Sequence, residues 1–151
     1  MEFDLKMVSA TGAARGAVRL MDPEGLCGKL GCREQMVFEF LLLGLAWVGY
    51  GRLRVVEGLR SLEREKKLWG QGRTEGECRK AGVPVEYASP DSEKRVWCLP
   101  EKSKHVRGMA IDLDLSMYAG CVPLAMGRIA KMLHVTWGGN WRVRDYGHFE
   151  V

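Results

Sequence analysis

Two short stretches hold most of the side chains in this sequence that could do chemistry. They are Ser103-Lys104-His105-Val106-Arg107-Gly108-Met109-Ala110-Ile111-Asp112 and Asp145-Tyr146-Gly147-His148-Phe149-Glu150-Val151. Between them they carry two of the three histidines of the chain and several carboxylates. Two neutral imidazoles and one carboxylate are a common ligand set for a catalytic zinc, and they leave a fourth tetrahedral position for water or substrate. His105, Asp112 and His148 are read as that set, with Asp145 as a base beside it. Asp114, two residues past Asp112 and on the same strand face, is the competing carboxylate. Glu150 either orients a ligand from behind or is an ordinary strand-end carboxylate. His134 lies outside both stretches and reads as structural or exposed.

Both stretches pattern as strands. Met109, Ile111, Leu113 and Leu115 alternate with Ala110, Asp112, Asp114 and Ser116, a period of two that separates a core face from a carboxylate face. In the second stretch Phe149 and Val151 would face the core, with His148 and Glu150 opposite. If the two strands pair, Asp112 and His148 project from one face of a sheet. His105 then comes from the loop before the first strand, which Gly108 helps to turn.

Further elements accompany them in order. Gly58-Leu59-Arg60-Ser61 and Gln71-Gly72-Arg73-Thr74 come before the first stretch, and Trp137-Gly138-Gly139-Asn140-Trp141 precedes the second. Together these pieces resemble the zinc peptidases of peptidoglycan of the VanY and phage-endolysin type, over roughly residues 34–151. That family shares its fold with D-Ala-D-Ala carboxypeptidases and the hedgehog signalling domain. The resemblance implies an α+β domain, with a small antiparallel sheet carrying the zinc site and helices flanking it. Its step of seven residues from His105 selects Asp112 over Asp114, and it places the base at Asp145. It also implies Arg60 as partner of the substrate carboxylate or developing oxyanion, a task suited to a planar bidentate donor. Ser103, Glu65 and Trp137 are the expected substrate contacts, although Ser103 could equally brace the His105 loop and Trp137 could be a core aromatic. Glu65 stands where many relatives carry Gln, and Asn140 where they carry Asp; both departures bear on specificity. The implied partner is bacterial peptidoglycan and the implied bond L-alanyl-D-glutamate, with D-Ala-D-Ala carboxypeptidase and a non-catalytic zinc module as alternatives.

Composition bounds the rest. The 151 residues, 46% hydrophobic and 28% charged, suit one folded domain with a real core. The net charge of +4 is too mild to argue for nucleic acid, and a monomer is expected. Five cysteines at uneven spacing read as reduced thiols. Residues 1–20 mix charges without a continuous apolar run, so no secretory signal is read. Residues 36–49 are apolar but too short to span a bilayer. Synthesis in the cytoplasm follows, and the resemblance adds release through a holin or carriage in a virion.

Residues 1–33 read as an extension of unknown role and 34–151 as a single peptidase domain. Expected elements are a buried helix over 33–48 ended by Gly49 and Gly51, a strand over 53–57, and a helix capped by Ser61 running through Trp69. Residues 70–104 read as a long turn-rich connection walling the substrate groove, with a short strand at 96–99. A further helix falls within 117–133, starting after Pro123.

Overall fold

A computed structural model describes residues 12–93, 96–118 and 124–151, with side chains from residue 16. The chain forms two compact units, one of Met1–Leu59 with Gly108–Val151 and one of Arg60–Arg107.

The first unit is the α+β body expected from the sequence. Helices α1 (Gly12–Met21) and α2 (Cys32–Leu45) precede strand β1 (Arg54–Glu57). Strand β2 (Ala110–Asp114), helix α5 (Leu124–Met132) and strands β3 (Thr136–Trp137) and β4 (His148–Glu150) complete it. The strands form an antiparallel sheet in the order β1-β2-β4-β3. Period-two alternation does its work in β2 and β4, where Ile111 and Phe149 are fully buried cross-strand partners. Helix α2 supplies the other wall of the core through Phe38, Leu41, Leu42 and Leu45, all fully buried. Each such side chain contributes about 1.5–3 kcal/mol of hydrophobic stabilisation. Helix α5 approaches α2 closely at Gly44, where an added Cβ would sit 2.8 Å from Ile129 Cγ2. Beyond Leu45 the helix widens into a five-residue π turn over Ala46–Tyr50 and leaves helical geometry at Val48 and Gly49, where the φ of 99° at Gly49 suits glycine.

The second unit has its own small core. Helix α3 (Leu62–Gly70) starts where expected, with the Ser61 hydroxyl accepting a 3.2 Å hydrogen bond from the Arg64 amide. Helix α4 (Glu75–Lys80) falls inside the stretch read as a plain connection. Six residues are too few to show a period, but Thr74 and Glu77 form a reciprocal capping box that the sequence did carry. Trp69, Cys78 and Val83 are buried together, with Val96 packed against them. Arg73 lies 3.7 Å from the centre of the Trp69 ring and donates to the carbonyls of Trp69 and Val96. That contact corrects the expected strand at 96–99. Val96 gives its carbonyl to a side chain rather than a ladder, Trp97 is 68% exposed, and these residues are irregular.

Cys27 and Cys78 are buried and Cys32 is exposed. Burial, with the Asp22 carboxylate beside it, pushes the Cys27 thiol far up. Cys121, Pro123 and the first 11 residues, part of the expected extension, lie outside the described residues.

Candidate metal centre

Asp112 and His148 are direct cross-strand partners of β2 and β4. On such a pair both side chains leave the same face. The Oδ1 of Asp112 lies 2.9 Å from Nδ1 of His148, and the other ring nitrogen, Nε2, lies 3.2 Å from Oε2 of Glu150. The Trp141 ring leans over the imidazole with centroids 4.9 Å apart. His148 is only 8% exposed. Burial is the largest influence on its pKa and pulls it down. The hydrogen bonds and charges of Asp112 and Glu150 together outweigh that and hold it above the ordinary histidine value.

This pair fits a zinc ion. Bonds of about 2.0–2.1 Å in a tetrahedral shell separate two ligand atoms by about 3.3 Å. The 2.9 Å pair would therefore open by only a few tenths of an ångström. Asp114, the competing carboxylate, is exposed, and its Oδ1 accepts a 2.8 Å hydrogen bond from the Ser116 amide. Its hydrogen bonds with Ser116 hold its pKa below the usual carboxylate value.

The turn before β4 sets the position of Asp145. The Asp145 amide donates to the Gly138 carbonyl at 3.0 Å, and the His148 amide donates to the Asp145 carbonyl at 3.3 Å. One step on, the Gly147 carbonyl accepts the Leu113 amide at 2.9 Å, which ties the turn to β2. Gly138 lies directly under this turn. A Cβ there would strike the Asp145 carbonyl and come within 3.1 Å of His148 Cβ. Trp137 is 4% exposed and packs near Phe149 and Tyr146, with its indole N–H donating to the Tyr146 carbonyl at 2.9 Å. Its observed part is packing behind the turn. Asp145 itself is exposed.

The second unit holds the other residues singled out. Ser103 and His105 are buried, each 5% exposed. The His105 carbonyl accepts the Arg60 amide at 3.1 Å, so the loop of His105 is tied to the start of α3. Arg60 Nη1 meets Glu65 Oε2 at 2.6 Å, and Glu65 is 1% exposed. The glutamate at the departing position is thus spent on Arg60 inside the unit. Sequence reasoning left Glu150 open and gave no positional reason for Gly138. The Trp-Gly-Gly spacing was a signal for Gly138 only once the turn was known.

Residues 99–151 match the family described as D-alanyl-D-alanine carboxypeptidase. The chain is also similar to the peptidoglycan L-alanyl-D-glutamate endopeptidase CwlK of Bacillus subtilis (strain 168), 32% identical over 113 residues. That alignment covers 64% of this chain and 59% of the relative, so the chain spans less than two thirds of the relative's length. Among solved structures, the Serratia marcescens L-Ala D-Glu endopeptidase ChiX aligns with a TM-score of 0.44 at 22% identity, covering 85% of this chain and 84% of its own. The matched segment contains β2, the Gly138 turn and β4. Over residues 99–151, which include Asp112, Asp145 and His148, the chain is thus similar to the family described as D-alanyl-D-alanine carboxypeptidase.

Proposed function

We propose that this chain is a zinc-dependent peptidase that hydrolyses the L-alanyl-D-glutamate bond in the stem peptides of bacterial peptidoglycan. The observation that carries the reading is the cross-strand pair of Asp112 and His148, a carboxylate and an imidazole 2.9 Å apart on one rigid sheet. His105 is the proposed third ligand, because two imidazoles and a carboxylate are a donor set that suits a catalytic zinc. The choice of bond rests on the activity of CwlK, the relative at 32% identity.

In such a site zinc supplies a Lewis acid and acidifies a water to a pKa of about 7. The remaining work belongs to this chain. Asp145 takes the proton of the attacking water and passes it to the leaving amine, the dual task of a general acid–base. Arg60, oriented by Glu65, donates to the substrate carboxylate or to the oxyanion as it forms. Glu65 tunes that contact through Arg60 by offsetting its charge. Ser103 contributes a hydroxyl to substrate or to the His105 loop, and Trp137 bears on substrate through the turn it supports. Among the described residues no helix is long and apolar enough to cross a membrane, which accords with an enzyme reaching the wall through a holin or from a virion.

Turbidity loss and fragment masses on purified peptidoglycan test the reading. Wild type should release fragments with new L-alanine C-termini, chelation should abolish this, and added zinc should restore it. A second reading has an observation behind it, because the matching family is described by D-alanyl-D-alanine carboxypeptidase activity. Release of free D-alanine would select it. Zinc binding with neither product, on several wall types, would sink both and leave a binding module.

A further inference from the structure

The His148 ring is approached by a carboxylate on each side, and the two carboxylates differ in position. Asp112 stands across the ladder on β2, whereas Glu150 follows two residues later on the same strand and so shares the His148 face. Nδ1 faces Asp112 at 2.9 Å and Nε2 faces Glu150 at 3.2 Å. A neutral imidazole has one N–H and one bare nitrogen, and only the bare nitrogen can bind a metal. If Asp112 is a ligand, the nitrogen beside it must be the bare one, which puts the proton on Nε2. Glu150 is the acceptor for that proton. Its side chain is 24% exposed, so water competes with it only in part, and the Trp141 ring 4.9 Å from the imidazole covers a flat face rather than either nitrogen edge.

We propose that Glu150 is the positioning residue of this centre. By accepting the Nε2–H of His148 it fixes the ring rotation and tautomer that turn Nδ1 toward Asp112. The proposal rests on the metal reading above and adds to it which nitrogen binds and what holds it there. Glu150 touches neither substrate nor the ion in this account. Its backbone pairs with Ala110 and Thr136, so truncating the side chain leaves the ladder hydrogen bonds in place.

The test compares wild type, Glu150→Ala and Glu150→Gln by zinc affinity against a competing chelator and by 15N-detected spectra of the His148 ring. In the zinc-loaded wild type the metal should lie on Nδ1 and a protected proton on Nε2. Glu150→Ala should bind zinc 10- to 100-fold more weakly, the usual loss for such outer partners, and its Nε2 proton should exchange freely. Glu150→Gln keeps an acceptor oxygen and should recover the protected proton and most of the affinity, which a merely structural loss would not do. Unchanged affinity and unchanged ring signals in Glu150→Ala would overturn the assignment while leaving the metal reading intact. If wild type binds no zinc, that reading fails. The Nε2 proton of the metal-free protein then decides for Glu150, by its protection in wild type and Glu150→Gln and its loss in Glu150→Ala.

Discussion

Asp145 offers an exposed carboxylate three residues before His148, and its backbone is held on both sides by hydrogen bonds to Gly138 and His148. The side chain itself can therefore be removed without disturbing the turn. Asp145→Ala should bind zinc as wild type does and lose about 10²- to 10⁴-fold in kcat, the usual share of general acid–base catalysis. Steady-state hydrolysis with a parallel zinc titration checks this, and a matching loss of zinc affinity would recast Asp145 as a ligand. His148 makes a second prediction. Its pKa in the folded, metal-free protein lies above the ordinary value because Asp112 and Glu150 outweigh burial. The charged imidazole thus stabilises the fold below the unfolded histidine pKa of about 6.5, and that contribution is lost as pH rises through the higher folded value. Zinc needs the neutral ring. Apparent zinc affinity should accordingly climb with pH and level off only above the raised His148 pKa, with a proton released on binding near neutrality. Calorimetry in buffers of different ionisation enthalpy would detect that proton, and a pH-independent affinity would count against His148 as ligand.

At the scale of elements, each unit has a backbone device that holds residues singled out in it. One is the close approach at Gly138, where there is no room for a Cβ between the Asp145 carbonyl and His148. Gly138→Ala should leave the far-ultraviolet spectrum unchanged while lowering both turnover and zinc affinity, because the added methyl displaces the Asp145 turn and His148. A variant that lost only stability would show that the turn yields without moving the site. The other device is the start of α3, where Ser61 caps the helix and the Arg60 amide holds the His105 carbonyl. Glu65 anchors it from inside by its 2.6 Å pair with Arg60. Removing one member of a buried pair typically costs about 3–5 kcal/mol, because it strands the other charge. Glu65→Ala should show a loss of that order in urea unfolding, whereas Glu65→Gln keeps an acceptor and should lose less. Equal losses would mean that the charge of Glu65 matters more than its hydrogen bond.

Across the whole molecule, the two units differ in how much they bury. The first has a core running from Met21 through Phe38, Leu41 and Ile111 to Phe149, while the second gathers Trp69, Cys78 and Val83 with a few partly buried neighbours. Stability to local opening follows buried apolar contact. Amides of β2, β4 and α2 should exchange hydrogen most slowly, and those of α4 and its flanking turns markedly faster. Mass spectrometry of peptide fragments would measure this, and uniform protection would indicate one cooperative body. The long stretch 70–104 illustrates why such a unit escapes a reading by periodicity. Its order comes from the capping box of Thr74 and Glu77 and from Arg73 lying over Trp69, neither of which repeats along the chain.

The α+β body was what the family resemblance implied, whereas the sequence by itself determined the strands β2 and β4 with Ile111 and Phe149 inward, the capped start of α3, the glycine stop beyond α2, and which carboxylates and imidazoles could meet. These follow from signals local to a few residues: alternation of polarity, a capping Ser, a Gly at positive φ. Pairing of β2 with β4 was legible only as a condition, since periodicity fixes faces and not partners. Tertiary structure decided the rest. It set Asp112 opposite His148, turned Nε2 of His148 to Glu150, buried Glu65 against Arg60, enclosed Trp137, and put Gly138 beneath Asp145. Each of these is a contact between side chains or segments whose separation depends on register and packing, and composition and spacing carry no term for either.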